Sequence, residues 1–168
     1  MPLHPVLAEK LSDTLVAGPG AAFTARDARL PAIPAKVHSV IGMRRAGKTT
    51  FLRQLQAERR ASQPAERALF VSFDDDRLGG IEVDQLGFLL EEYYRRYPET
   101  RGRKTIHLFL DEIQLIPGWE RFVRRVIELH PEAGGKPAIV GNCQGGWAIM
   151  LMNALAPDLA GLICIAGA

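Results

Sequence analysis

Gly42-Met43-Arg44-Arg45-Ala46-Gly47-Lys48-Thr49 fits the pattern G-x-x-x-x-G-K-[ST], and it restricts what this chain can fold into more tightly than any other stretch. The pattern works in one setting, a strand that runs into a glycine-containing turn and then a helix. The glycines let backbone N–H groups turn inward around an anion. The lysine brings a point charge to the β- and γ-phosphates of a nucleotide, and the hydroxyl holds Mg2+. The helix that follows adds the positive end of its dipole. Both flanks agree with this setting. Residues 36–41 (KVHSVI) are a strand candidate running into glycine. Residues 48–60 are good helix formers without Gly or Pro, with Phe51, Leu52 and Leu55 on one face. The expected phosphate ligands therefore lie in Gly42, Met43, Arg44, Arg45, Ala46, Gly47, Lys48 and Thr49.

The rest of the chain continues the alternation. Residues 4–16 suit a short amphipathic helix, broken by AGPGAAF, and RDARLPAIPAK is proline-spaced and extended. ALFVSF (68–73) is a strand candidate with both faces covered, followed by the acidic DDDR. Asp84 is positioned to cap a helix that runs to about Tyr97, where Pro98 stops it. IHLFL (106–110) is a second buried strand. Pro117 or Gly118 opens a helix with Trp119, Phe122, Val123, Val126 and Ile127 on one face. Ala138–Val140 extends into Gly141 as another strand, residues 145–155 are helical, and LICIA (162–166) is a last short strand. The order β-α-β-α-β-α-β-α-β predicts an α/β fold, a three-layer parallel sheet of the P-loop NTPase kind.

The second half of the expected site is IHLFLDE. A strand ending in Asp111 can reach Mg2+ through water, and Glu112 beside it can polarise an attacking water. Thr49 and Asp111 are thus the expected metal residues, and Glu112 and Lys48 the expected catalytic ones. These are the Walker A and Walker B elements of an ATPase.

The stretches GMRRAGKTTFLRQL, LFVSFDDDRL and FLDEIQLIPGWERFVRRV closely resemble a bacterial and archaeal group of AAA-type ATPases over about residues 22–129. In that group a nuclease-like C-terminal domain often follows the ATPase domain. The resemblance implies ATP binding at Gly42–Thr50, Mg2+ at Thr49 and Asp111, and Glu112 as base. Asp74–Asp76 match an acidic run of the family, read as structural. Beyond it, a polar sensor run like TGSS and a Gly-Arg pair are expected. The chain instead reads HPEAGGKPAIVGNCQGGWAIMLMNALAPDLAGLICIAGA, which resembles the nucleophile-elbow region of polyhydroxyalkanoate-synthase-like α/β-hydrolases. Gly141-Asn142-Cys143-Gln144-Gly145-Gly146 fits their G-x-C-x-G-G box, and Cys143 is the alternative nucleophile. Such a thiol needs a histidine base and a carboxylate placed after it in the chain. Asp158 follows Cys143, but no histidine does, and His130 precedes it.

The chain thus reads as a chimera joined near 129–131. The expected organisation is one P-loop ATPase-like domain over 1–168, with a helix and extended lead-in at 1–35, the ATPase core at 36–129, and a hydrolase-derived strand-turn-helix-strand at 130–168 that completes the sheet. With the strands numbered in chain order from 36–41, right-handed crossovers and the ATPase resemblance predict the order 5-1-4-3-2.

Composition adds bounds. A net charge of +2 gives no bulk electrostatic argument for nucleic acid. Arg44 and Arg45 are candidates for phosphates or for a neighbouring copy, so a homo-oligomer is a candidate partner. Cys143 and Cys164 form no disulfide framework, no apolar run reaches a membrane span, and the start has no signal pattern, so a cytoplasmic, soluble protein is expected.

Overall fold

The computed structural model describes residues 2–16, 24–28, 40, 43, 45–129, 138–142, 154 and 162–166. The chain divides into two compact units, Met1–Thr24 with Leu52–Val123, and Ala25–Phe51 with Arg124–Ala168.

In the first unit, helix α1 (Pro5–Val16) buries Leu7, Leu11 and Thr14 on one stripe. That is the i, i+4 spacing of an amphipathic helix with a polar residue at its end. It packs against strand β1 (Ala68–Ser72) and helix α3 (Asp84–Arg96). Four consecutive residues of β1, Ala68 to Val71, are buried. A strand covered on both faces reads as such a continuous apolar run. β1 pairs in parallel with β2 (His107–Asp111), from Ala68 opposite His107 to Ser72 opposite Asp111. The adjacency of these two strands agrees with the sequence reading. The burial of β2 does not: His107 to Leu110 are half-buried, and Asp111 alone is buried. Among the described residues β2 has β1 as its strand partner.

Helix α2 (Lys48–Arg60) has the predicted bounds and buries Phe51 and Leu55, with Gln54 and Gln56 beside them. The two glutamines were not anticipated. Gln56 explains itself, because its Nε2 donates to the Ala68 carbonyl at 2.9 Å. Arg60 donates to the same oxygen from Nε at 3.3 Å and from Nη2 at 3.1 Å, and also to the Thr14 carbonyl. Thr14 Oγ1 accepts from the Phe70 N–H at 2.8 Å. Phe70 N–H and Ala68 C=O lie on the edge of β1 away from β2, because alternate residues of a strand face opposite neighbours. Side chains from two helices thus satisfy a sheet edge that would otherwise invite another strand.

α3 starts where expected, but the cap differs. Val83 is the N-cap residue and makes no side-chain cap bond, while Asp84 sits inside the first turn. There its charge still complements the helix dipole. A short 3-10 turn over Pro98–Thr100 follows.

In the second unit, β3 (Ala138–Asn142) and β4 (Leu162–Ala166) pair directly and in parallel, with Ala138 opposite Leu162 and Asn142 opposite Ala166. This corrects the predicted order 5-1-4-3-2, which set the phosphate-loop strand between them. The physical reason is proximity along the chain: consecutive parallel strands joined by a crossover are neighbours more often than not. The strand candidate at 36–41 and the helix candidate at 145–155 lie outside the described residues, apart from Val40 and the helical Ala154. Helix α4 (Trp119–Leu129), whose first residues to Val123 belong to the first unit, begins just after Gly118, as the sequence suggested, and buries Phe122.

Candidate functional site

The phosphate loop leads into α2. Gly42 and Arg44 lie outside the described residues; Met43 and Arg45–Thr50 are within them. Arg45 and Gly47 both hold left-handed backbone conformations, with φ of 63° and 77°. Left-handed residues in a turn are among those from which anion-binding nests of backbone N–H groups are built. For Gly47 the conformation suits the residue; for Arg45 it is strained. Ala46 N–H donates to the Met43 carbonyl at 3.2 Å, closing the turn, and Phe51 N–H donates to Gly47 at 3.0 Å, starting the helix. Lys48 Nζ donates to the Met43 carbonyl at 3.1 Å, so the ammonium is folded back over the loop. Arg26, from the extended lead-in, donates through Nη2 to the Ala46 carbonyl. Thr49 and Thr50 are exposed in the first turn of α2.

The carboxylates belong to the first unit. Asp111 ends β2 and is only 5% exposed. Ser72, its partner in register on β1, donates from Oγ to Asp111 Oδ2 at 3.4 Å, and Phe73 N–H donates to the Asp111 carbonyl at 2.9 Å. The carboxyl end of a parallel strand is where open α/β sheets place their ligand groups. Glu112 follows with φ 55° and ψ 34°, a left-handed conformation on a non-glycine residue. Gln114 donates from Nε2 to Glu112 Oε2, which fixes the orientation of that carboxylate. A side chain held on strained backbone and oriented by a neighbour is the pattern of a functional position.

The acidic run divides by role. Asp74 and Asp76 are exposed. Asp75 accepts from Arg77 and pairs with Lys10 Nζ at 2.9 Å, and Arg77 reaches Glu9 at 3.1 Å. Hydrogen bonds from Arg77, then Lys10, hold the Asp75 carboxyl far below the usual range. Asp75 thus fastens α1 to the turn after β1.

Sequence reasoning missed Arg53. Its guanidinium lies over the Phe70 ring, 3.4 Å from the centroid, a cation–π contact. Burial and the charge of Arg60 lower its pKa, while the charge of Asp111 acts in the opposite direction. A helical arginine four residues past the motif has no sequence signal that would separate it from a solvated one. Cys143, His130 and Asp158 lie outside the described residues, so the alternative nucleophile is not located.

Residues 34–163 match the AAA domain family. This chain belongs to that family. The family's fold is the α/β fold of P-loop NTPases, and its function is nucleotide binding of the ATPase kind. The match runs through 129–131, where the chain was read as joined, and covers the strands that resemble a hydrolase elbow. Among curated proteins, the chain is 55% identical over 47 residues to an uncharacterized protein encoded in the ackA 5' region of Rhizobium meliloti, covering 28% of this chain and 6% of that one. It is 33% identical over 118 residues to an uncharacterized protein of Methanocaldococcus jannaschii, covering 70% of this chain and 24% of the other. The chain therefore spans a minor part of either relative. No solved structure matches.

Among the described residues, no three His, Cys, Asp or Glu side chains converge on a metal position, and no helix is long and apolar enough to cross a membrane. Mg2+ does not require a protein cage, since it is held by one or two protein oxygens together with water and phosphate. Thr49, in the second unit, and Asp111, in the first, each carry a hard oxygen donor of the kind Mg2+ takes.

Proposed function

We propose that this chain binds ATP with Mg2+ through residues 42–50 and hydrolyses it slowly. The observation that carries the reading is the loop itself: left-handed backbone at Arg45 and Gly47, and the Lys48 ammonium held on the Met43 carbonyl at the start of α2. A phosphate is a stronger acceptor than that carbonyl, so Lys48 exchanges one for the other when nucleotide binds. Thr49 and Asp111 would hold the metal, which when bound neutralises charge on the transferring phosphoryl group. Glu112 would orient and deprotonate water, with Gln114 keeping its carboxylate in place. Slow turnover is expected because GNCQGG stands where a polar sensor run would.

The experiment is ATP binding and hydrolysis by the parent and by Glu112→Gln. The carboxamide keeps the shape of the side chain but cannot take a proton from water. Binding is expected to be retained and hydrolysis to fall by about 10²-fold or more. A variant that hydrolyses at the parent's rate removes Glu112 from the role of base.

A second reading, acyl transfer by Cys143, has one observation behind it: β3 and β4 are direct parallel neighbours, as in a strand-turn-helix-strand elbow. The residues printed after Cys143 include Asp158 and no histidine. No esterase activity is expected, and Cys143→Ala should leave ATP binding unchanged. Burst release of an acyl leaving group that Cys143→Ala abolishes would reverse this ranking.

A further inference from the structure

Arg26 lies in a stretch that the sequence reading took as an extended lead-in. In the structure its guanidinium sits on the phosphate loop. Nη2 donates to the Ala46 carbonyl. The same nitrogen lies 2.6 Å from where a Cβ on Gly47 would stand, and Cζ lies 3.5 Å from that point. The second glycine of the motif suits its φ of 77°, and the tip of the Arg26 side chain lies where a Cβ would stand. Two cations, Lys48 and Arg26, therefore rest on two carbonyls of one short loop, Met43 and Ala46. A phosphate is a stronger acceptor than a carbonyl, and a guanidinium matches phosphate oxygens two at a time through its fork. Residues 24–28 are exposed, so the arm that carries Arg26 is reached from solvent rather than locked in a core.

We propose that Arg26 is a second phosphate-binding cation of this site, supplied in cis by the lead-in segment, and that it recognises the polyphosphate of a nucleoside triphosphate. The inference rests on the nucleotide-binding reading above. It differs from that reading in naming a residue outside the motif, and the test separates the two.

Binding of Mg·ATP, adenosine and inorganic tripolyphosphate is measured for the parent, Lys48→Ala, Arg26→Ala and Arg26→Gln. Glutamine keeps a polar side chain but has no charge and a shorter reach, so it removes the guanidinium from the loop. Both Arg26 variants are expected to bind Mg·ATP about 10–100-fold more weakly, the loss of a charge-assisted hydrogen bond. Tripolyphosphate should lose potency as a competitor to a similar extent, and adenosine should bind as it does to the parent. Parent-like Mg·ATP affinity in Arg26→Gln overturns the proposal and leaves Arg26 a structural contact. Tighter binding in either variant overturns it too, since Arg26 would then be obstructing the loop. A parent that binds neither Mg·ATP nor tripolyphosphate defeats the nucleotide reading itself, and this proposal with it. If Arg26→Ala does not fold, Arg26→Gln alone decides.

Discussion

At Glu112 the backbone and the side chain make separate demands on one residue. Its φ of 55° belongs to a region where a Cβ crowds the following carbonyl. Glycine would sit there without strain, but glycine has no carboxylate. A cost of about 1–3 kcal/mol is typical where a non-glycine residue is held in a sparsely populated conformation. Glu112→Gly and Glu112→Ala both lack the acid, so comparing them isolates the backbone. Glycine is normally the less stable of the two by about 0.5–1 kcal/mol. Here the order should invert, with Glu112→Gly unfolding at higher urea than Glu112→Ala by the equivalent of about 1 kcal/mol. Equal or reversed midpoints would mean that the left-handed conformation is not retained once the carboxylate is gone. The sequence announced the carboxylate through its place after IHLFLD but gave no sign of its backbone. A φ value depends on where the chain turns next, and residues 113–115 form a tight turn whose cap is Glu112 itself.

Among the elements, those set by local pattern were legible and those set by docking were not. α2 and β4 have the bounds that periodicity and apolar runs gave them. The edge of β1 was illegible, because it depends on Thr14, Gln56 and Arg60 meeting from two helices far apart in the chain. Each of these reads in sequence as an ordinary polar helical residue. Their weight can be measured at Thr14, which is 3% exposed. Thr14→Val keeps the shape and removes the acceptor, leaving the Phe70 N–H without its bond at a buried edge. An unsatisfied buried donor costs about 1–3 kcal/mol, and that is the expected loss in urea unfolding. Thr14→Ser keeps the hydroxyl and should lose only about 0.8 kcal/mol for the missing methyl. A valine variant as stable as the parent would show that this edge bond carries no stability.

For the whole molecule, the pairing of strands 138–142 and 162–166 shows where sequence reasoning was decided wrongly. Residues 130–168 were fitted into an ATPase order in which another strand separates these two, whereas they pair with each other. The apolar runs located the strands; they carry no information about which edge each strand chooses, because strands covered on both faces are alike in composition. The family match across residues 34–163 gives the chain a nucleotide-binding character that does not depend on that order. Stability therefore offers the broadest test. Any ligand that binds only the folded state adds RT ln(1 + [L]/Kd), about 2.7 kcal/mol at a hundred times the dissociation constant. For a chain of 168 residues this corresponds to a rise in melting temperature of about 5–11 °C, at roughly 2–4 °C per kcal/mol. Mg·ATP should produce that rise in the parent. Chelating the metal should shrink it, because phosphate charge is then left to Lys48 and its neighbours alone. Lys48→Ala should erase most of it with metal present, since the loop loses the ammonium that now rests on the Met43 carbonyl. A parent protein whose melting temperature does not move at millimolar Mg·ATP does not use this loop for nucleotide.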